Sequence, residues 1–203
     1  MEMGPGPEVE HHHHHQTGHR WLDITLAVSA VFISLMSLVL AIQHGHAMEK
    51  MVEVSSWPSM AVQFANAERD GTPHFSVWAV NNGVGPAKLE SIEIFVEGKA
   101  QSGPSALLQS LLKGADSERK LEFTTGDVVD MVFPARETIT LLDVLPGQFT
   151  PEQVQTIRVE SAKIQARVCY CSVFDECWVL DQRKSNRAEP VKACTVPKVM
   201  FGQ

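Results

Sequence analysis

Residues 24–42 read ITLAVSAVFISLMSLVLAI, a run of 19 residues without one charged side chain. As a helix rising about 1.5 Å per residue, the run is about 28 Å long, close to the roughly 30 Å hydrocarbon core of a bilayer. A core helix of a soluble protein keeps a polar face. This run offers only Thr25, Ser29, Ser34 and Ser37. It is therefore read as a transmembrane helix that meets lipid through residues 24–42. Trp21 stands at one boundary, where an amphipathic ring suits the headgroup layer, and Gln43, His44 and His46 mark the other. No other stretch approaches this length, so a single-pass protein is predicted.

Gly45-His46-Ala47 offers the small residues of a signal-peptide cleavage site. Signal peptides carry a shorter apolar core, about 7–15 residues, so an uncleaved signal-anchor is expected. Arg20 flanks one end and Lys50 the other, which leaves the positive-inside comparison tied. A short tail ahead of one anchor, with cysteines after it, points to a C-terminal domain in the periplasm or otherwise outside the cytoplasm. Within the span, Ala27, Ala30, Ser34, Ser37 and Ala41 are spaced 3, 4, 3 and 4. That is a seam of small residues on one helix face, the surface that lets backbones approach closely in lipid. It predicts pairing with a second copy or with another transmembrane helix. Chance alignment of common residues is the bland alternative.

Four regions follow from the patterning. Residues 1–20 hold Gly4-Pro5-Gly6-Pro7 and a histidine run from His11 to His15, and are read as a disordered, low-complexity tail. A purification tag or a transition-metal site are the other readings of that run. Residues 21–56 are the transmembrane and juxtamembrane helix, stopped at Trp57-Pro58 because the residue before proline is pushed out of the α region. Residues 57–184 are a β-sandwich domain, and 185–203 an irregular C-terminal tail that a disulfide would tie down.

The β assignment rests on alternation. Met60, Val62 and Phe64 alternate with Ala61, Gln63 and Ala65, and Phe75, Val77 and Ala79 with Ser76, Trp78 and Val80. The turn signal Asn81-Asn82-Gly83-Val84-Gly85-Pro86 precedes a strand with Ile92, Ile94 and Val96 on one face. Further strands are predicted over 120–124, 129–133, 138–143, 164–172 and 177–181. Short helices are predicted over 104–113, with Leu107, Leu108, Leu111 and Leu112 on one face, and from the capping box at Thr150-Pro151-Glu152-Gln153. The predicted fold is mainly β: a transmembrane α-helix, then a sandwich with two short helices. The segment WAVNNGVGPAKLESIEIFV resembles the strand–loop–strand of immunoglobulin-like bacterial β-sandwich domains. Together with the anchor and YCSVFDECW, it resembles uncharacterised bacterial single-pass membrane-anchored proteins. The resemblance implies a bacterial inner-membrane setting and an immunoglobulin-like sandwich, and brings no activity.

From Met51 onward 15 Lys and Arg face 19 Asp and Glu, a net of −4. No basic stripe is present, so nucleic acid is not an expected partner. Cys169, Cys171, Cys177 and Cys194 are the chain's four cysteines. On the strand 164–172, Ile164, Val168 and Tyr170 share one face while Cys169 and Cys171 share the other with Arg167. One or two disulfides among the four would tie the tail to the hairpin; four cysteines allow three complete pairings. Buried free thiols are a second reading. Zinc is a third, but intervals of one, five and sixteen residues fit poorly with two close C-x₂₋₄-C pairs.

Catalytic patterns are missing. His74 is the one histidine after residue 46, and is read as an ordinary surface or strand-end histidine. There is no G-x-S-x-G, phosphate loop or D-x-D-x-D-G run. Asp127/Asp130 and Asp175/Glu176 lie beside turns, where solvated acids are ordinary. No catalytic, cofactor-binding or metal-ligating residue is therefore predicted. The expected function is a membrane-anchored, non-enzymatic protein-interaction module. The alternatives are a membrane-tethered enzyme or ligand receptor without a recognisable motif, and a cytoplasm-facing domain with a cysteine metal site.

Overall fold

The computed structural model describes residues 20–69, 72–113, 121–126 and 131–202. The histidine run, Asp127 and Asp130 lie outside them. The chain divides into two compact units, Met1–Lys50 and Met51–Gln203.

The 19-residue apolar run is part of one helix, α1, Arg20–Ser55, 36 residues long. It is long and apolar enough to cross a membrane. Two of its hydroxyls are absorbed locally, as Thr25 donates to Leu22 O and Ser29 to Leu26 O. The helix stops at Ser55, just ahead of Trp57-Pro58, as proline dictates.

Among the described residues ten strands follow: β1 Met60–Arg69, β2 Thr72–Asn81, β3 Ala87–Val96, β4 Lys99–Gln101, β5 Phe123–Thr124, β6 Val132–Phe133, β7 Thr138–Val144, β8 Ile164–Cys171, β9 Cys177–Asp181 and β10 Ala188–Val191. They form two antiparallel sheets. One runs β1-β2-β7-β5; the other runs β10-β9-β8-β3-β4, with β6 also pairing β3. The alternation in the sequence decides which face turns inward. Val62, Phe75, Val77, Ala79, Leu142 and Val144 from the first sheet share one core with Ile92, Ile94, Ala166, Val168 and Tyr170 from the second.

Two helices close the core. In α2, Pro104–Leu112, all four predicted leucines are buried. In α3, Pro151–Glu160, Thr150 and Gln153 form the full capping box, each side chain accepting from the other's backbone N–H. A single 3-10 turn, Ser161–Lys163, leads into β8. Glu160 accepts from Lys113 at 2.7 Å and Lys163 at 2.9 Å, and Lys163 also reaches Glu97 at 2.8 Å. The two lysines hold the Glu160 carboxyl below its ordinary pKa.

Two segments depart from expectation. The stretch predicted to be an irregular tail contains β10, which pairs with β9 from Ala188↔Leu180 to Val191↔Cys177. Pro190 lies within it, a residue sheets accept at edges. A short strand, β4, also follows the Glu97-Gly98 turn, where Glu97 takes φ 50°. The chain after β10 then crosses the outer face of its sheet. It is bonded to β8 through Cys194 and ends with Phe201 N–H donating to Ile92 O of β3 and Gly202 N–H to Ser102 O. Met200 and Phe201 are buried at its end. The crossing segment fills the edge of β3 between its pairings with β6 and β4, leaving less open ladder for another chain to join.

Candidate functional site

The β8–β9 hairpin gathers more of the chain's chemistry than any other described segment. Five residues, Ser172 to Glu176, connect its strands. Ser172 organises them: its N–H donates to Glu176 O at 2.7 Å, its Oγ accepts from Phe174 N–H at 3.1 Å, and its O accepts from Asp175 N–H at 3.2 Å. Asp175 takes the left-handed φ of 62° that the tight loop requires, and its carboxylate meets Lys88 Nζ at 2.7 Å. The loop thereby holds Val173 and Phe174 outward, 42% and 51% exposed.

The period of two along β8 puts Val168 and Tyr170 in the core and Cys169 and Cys171 on the opposite face. Cys171 lies directly across from Cys177 in the strand register, and the two are joined in a disulfide, Cα–Cα 4.0 Å. Cys169 is joined to Cys194, Cα–Cα 5.8 Å. All four cysteines are thus in bridges. One bridge staples the mouth of the hairpin; the other pins the crossing C-terminal segment to β8. The bridges touch, with Cys171 Sγ and Cys194 Sγ 3.9 Å apart. Beside them lies a charged row: Arg167 donates to Glu93 at 2.7 Å, and Asp181 receives Arg183 at 2.8 Å. Arg183 holds the Asp181 carboxyl below the usual carboxylate range, and its guanidinium lies 3.9 Å from the Phe95 ring centre.

The hairpin meets the segment leaving α1. Trp178 stacks on Trp57 at 5.6 Å and on Tyr170 at 5.9 Å. Gly83 and Gly85 are required here: a Cβ on Gly83 would lie 2.4 Å from Trp57 O, and one on Gly85 1.9 Å from Ser56 O. Asn81 locks the junction. It is fully buried; its Oδ1 accepts from Ser59 N–H at 3.1 Å and Gly83 N–H at 3.0 Å, and its Nδ2 donates to Gly85 O at 2.8 Å and Pro134 O at 3.1 Å. In the sequence alone Asn81 reads as the first residue of a turn. The paired close-approach glycines were the signal that another backbone packs there.

Glu176 shares a hydrogen bond with Glu53, which raises its pKa above the ordinary glutamate value, with burial and the Glu53 charge adding to the shift. A carboxyl that holds its proton more tightly when folded stabilises the fold below its unfolded pKa and loses that contribution as pH rises through the folded value. Glu176→Gln is therefore expected to raise the melting temperature at pH 7 by about 1–2 °C, the scale of an exposed pair. It should change nothing near pH 4. Melting curves at the two pH values check this.

His74 sits at the start of β2, as expected for a strand-end histidine, but not at the surface. Its side chain is 11% exposed and its Nε2 lies 2.8 Å from Asp143 Oδ1. Asn66, Phe149 and Arg158 line a cavity beside it of about 30 Å³, the scale of a water molecule rather than a substrate. A larger cavity, about 390 Å³, opens beside Pro104, Phe123, Leu141 and Phe201. Among the described residues its only side-chain polar groups are hydroxyls. The small-residue seam, Ala27, Ala30, Ser34, Ser37 and Ala41, lies wholly on the exposed surface of α1.

Compared with protein-family models and with curated proteins, the chain matches none of them.

Proposed function

We propose that the chain is a membrane-anchored, non-enzymatic protein-interaction module, with its β domain on the extracytoplasmic side of a bacterial inner membrane. The observation that carries this reading is the doubly bridged hairpin in a chain with an apolar anchor helix. Disulfides persist in oxidising compartments, and here they hold two apolar side chains, Val173 and Phe174, out to solvent on a stapled loop. A rigid apolar tip loses little conformational entropy when a partner covers it.

The strand order supports an immunoglobulin-like sandwich. In that fold strands A, B, E and D form one sheet and C, F and G the other, with C′ added beside C in variable-type domains. Here β1, β2, β7 and β5 stand in the first order, and β9, β8, β3 and β4 in the order G, F, C and C′. The departure is in the bridges, which join F to G and F to the C-terminal segment instead of B to F.

Sidedness tests the reading. Alkaline phosphatase fused after Gln203, active only after export, is expected to be active in a bacterial host, and a fluorescent protein that folds only in the cytoplasm to be dark. The reverse pattern would overturn the extracytoplasmic placement. Pairing through the seam is tested separately. Ala30→Leu with Ser34→Leu places bulk where backbones would approach, and is expected to cut crosslinked dimer in membranes several-fold while leaving insertion intact. Unchanged crosslinking would remove the seam from the proposal.

A further inference from the structure

We propose that the four cysteines, when reduced, form a tetrathiolate site for one zinc-class divalent cation, so that the two bridges and the metal are alternative states of one centre. The intervals along the chain argue against zinc, but the fold supplies the proximity those intervals lack. Cys169 and Cys171 are neighbours on one face of β8, Cys177 is opposite Cys171, and the crossing segment brings Cys194 over both. Register and crossing do here what a C-x-x-C turn does elsewhere.

The distances fit. Tetrahedral zinc with Zn–S bonds of about 2.3 Å separates its sulfurs by about 3.8 Å. Cys171 and Cys194, which belong to different bridges, are already 3.9 Å apart. The sulfurs of Cys171, Cys177 and Cys194 all lie within 4.8 Å of one another; Cys169 stands outside that group of three and is tied to it through its bond to Cys194. Each bonded pair opens by about 1.8 Å to reach the tetrahedral spacing, and the Cys169 side chain must also turn toward Cys171 and Cys177 to complete the set. Cys169, Cys171 and Cys177 are buried, as suits a closed structural site where four protein ligands leave no position for water.

The interconversion balances. A dithiol reductant delivers two electrons and two protons to each bridge, becoming a disulfide itself; two bridges yield four thiols. Binding one dication forms four metal–sulfur bonds and releases four protons. In reverse, two equivalents of a disulfide oxidant take four electrons from the four thiolates. Two S–S bonds form, the four metal–sulfur bonds break, and the dication leaves with the reduced oxidant.

The test is cobalt titration of the full chain in detergent, after reduction and anaerobic removal of the reductant. One Co²⁺ per chain is expected to give the near-ultraviolet thiolate-to-metal band and the strong visible absorption of a tetrahedral site, both lost on adding Zn²⁺. The oxidised chain should give neither. Replacing His11–His15 with alanine should leave the thiolate band untouched, separating this site from imidazole binding in the tail. Cys194→Ser should weaken cobalt binding by about a hundredfold or more, since loss of even an outer-shell partner of a metal ligand costs about 10–100-fold. A reduced, folded chain without the thiolate band, or a band indifferent to Cys194→Ser, overturns the proposal. If reduction alone unfolds the domain, Zn²⁺ must restore its circular dichroism; failure to do so overturns the proposal equally.

Discussion

Asn81→Ala is expected to destabilise the unit Met51–Gln203 by about 4 kcal/mol. The substitution removes five hydrogen bonds at a fully buried side chain and strands two N–H groups, of Ser59 and Gly83, and three carbonyls, of Gly85, Phe133 and Pro134. A buried polar group left without a partner costs about 1–3 kcal/mol, and water entering the vacated space recovers part of the sum. Chemical denaturation read by the fluorescence of stacked Trp57 and Trp178 measures the effect at the junction itself. Asn81→Asp sharpens the test. It keeps the acceptor for Ser59 and Gly83 but points an anion at three carbonyls. Its loss should be at least as large at pH 7 and shrink in acid, where a protonated carboxyl donates again. A loss below about 1 kcal/mol for Asn81→Ala, no more than an average point substitution costs, would show that Asn81 does not hold the junction.

The second large effect belongs to the bridges. Cross-linking lowers the entropy of the unfolded chain by an amount that grows with the logarithm of the loop closed. Cys169–Cys194 spans 25 residues and Cys171–Cys177 spans 6. The loop relation then gives about 3.5 kcal/mol for the first and about 2.2 kcal/mol for the second. The double variant Cys169→Ser/Cys194→Ser should therefore melt lower than Cys171→Ser/Cys177→Ser. Serine pairs avoid a leftover thiol that would attack the remaining bridge 3.9 Å away. Equal melting temperatures would mean that the longer bridge closes a segment already held by β10 and Phe201.

Much of this architecture is legible in the sequence, because two periodicities carry it. The uncharged run specifies α1, and period-two alternation specifies β1 to β3 and the inward faces of Phe75, Val77, Ile92 and Ile94. The same alternation places Cys169 and Cys171 outward before any pairing is known. Alternation cannot report β10. Residues Ala188–Val191 have no apolar face of their own, and their strand exists because β9 offers a free edge. The crossing segment is legible only at Cys194, whose tie to the hairpin the cysteines announce; the path to β3 rests on two backbone hydrogen bonds and the burial of Met200 and Phe201, which no pattern marks. His74 illustrates a third limit. A polar residue near a strand end reads as solvated until its partner, Asp143, arrives from a strand about 70 positions away.

The junction held by Asn81 also has a mechanical meaning. If α1 anchors the domain as proposed, any pull reaches the domain through that end. Tension arriving along α1 meets Ser56 to Ser59 first, where Asn82 N–H holds Ser59 O, and Val84 and Gly85 N–H both hold Trp57 O. Only after those bonds yield does load reach the β1–β2 pairing at Met60 and Asn81. The two glycines and the buried amide thus act as a strain relief at the point where a cable enters a housing, and the first strand is spared from peeling until that relief has failed.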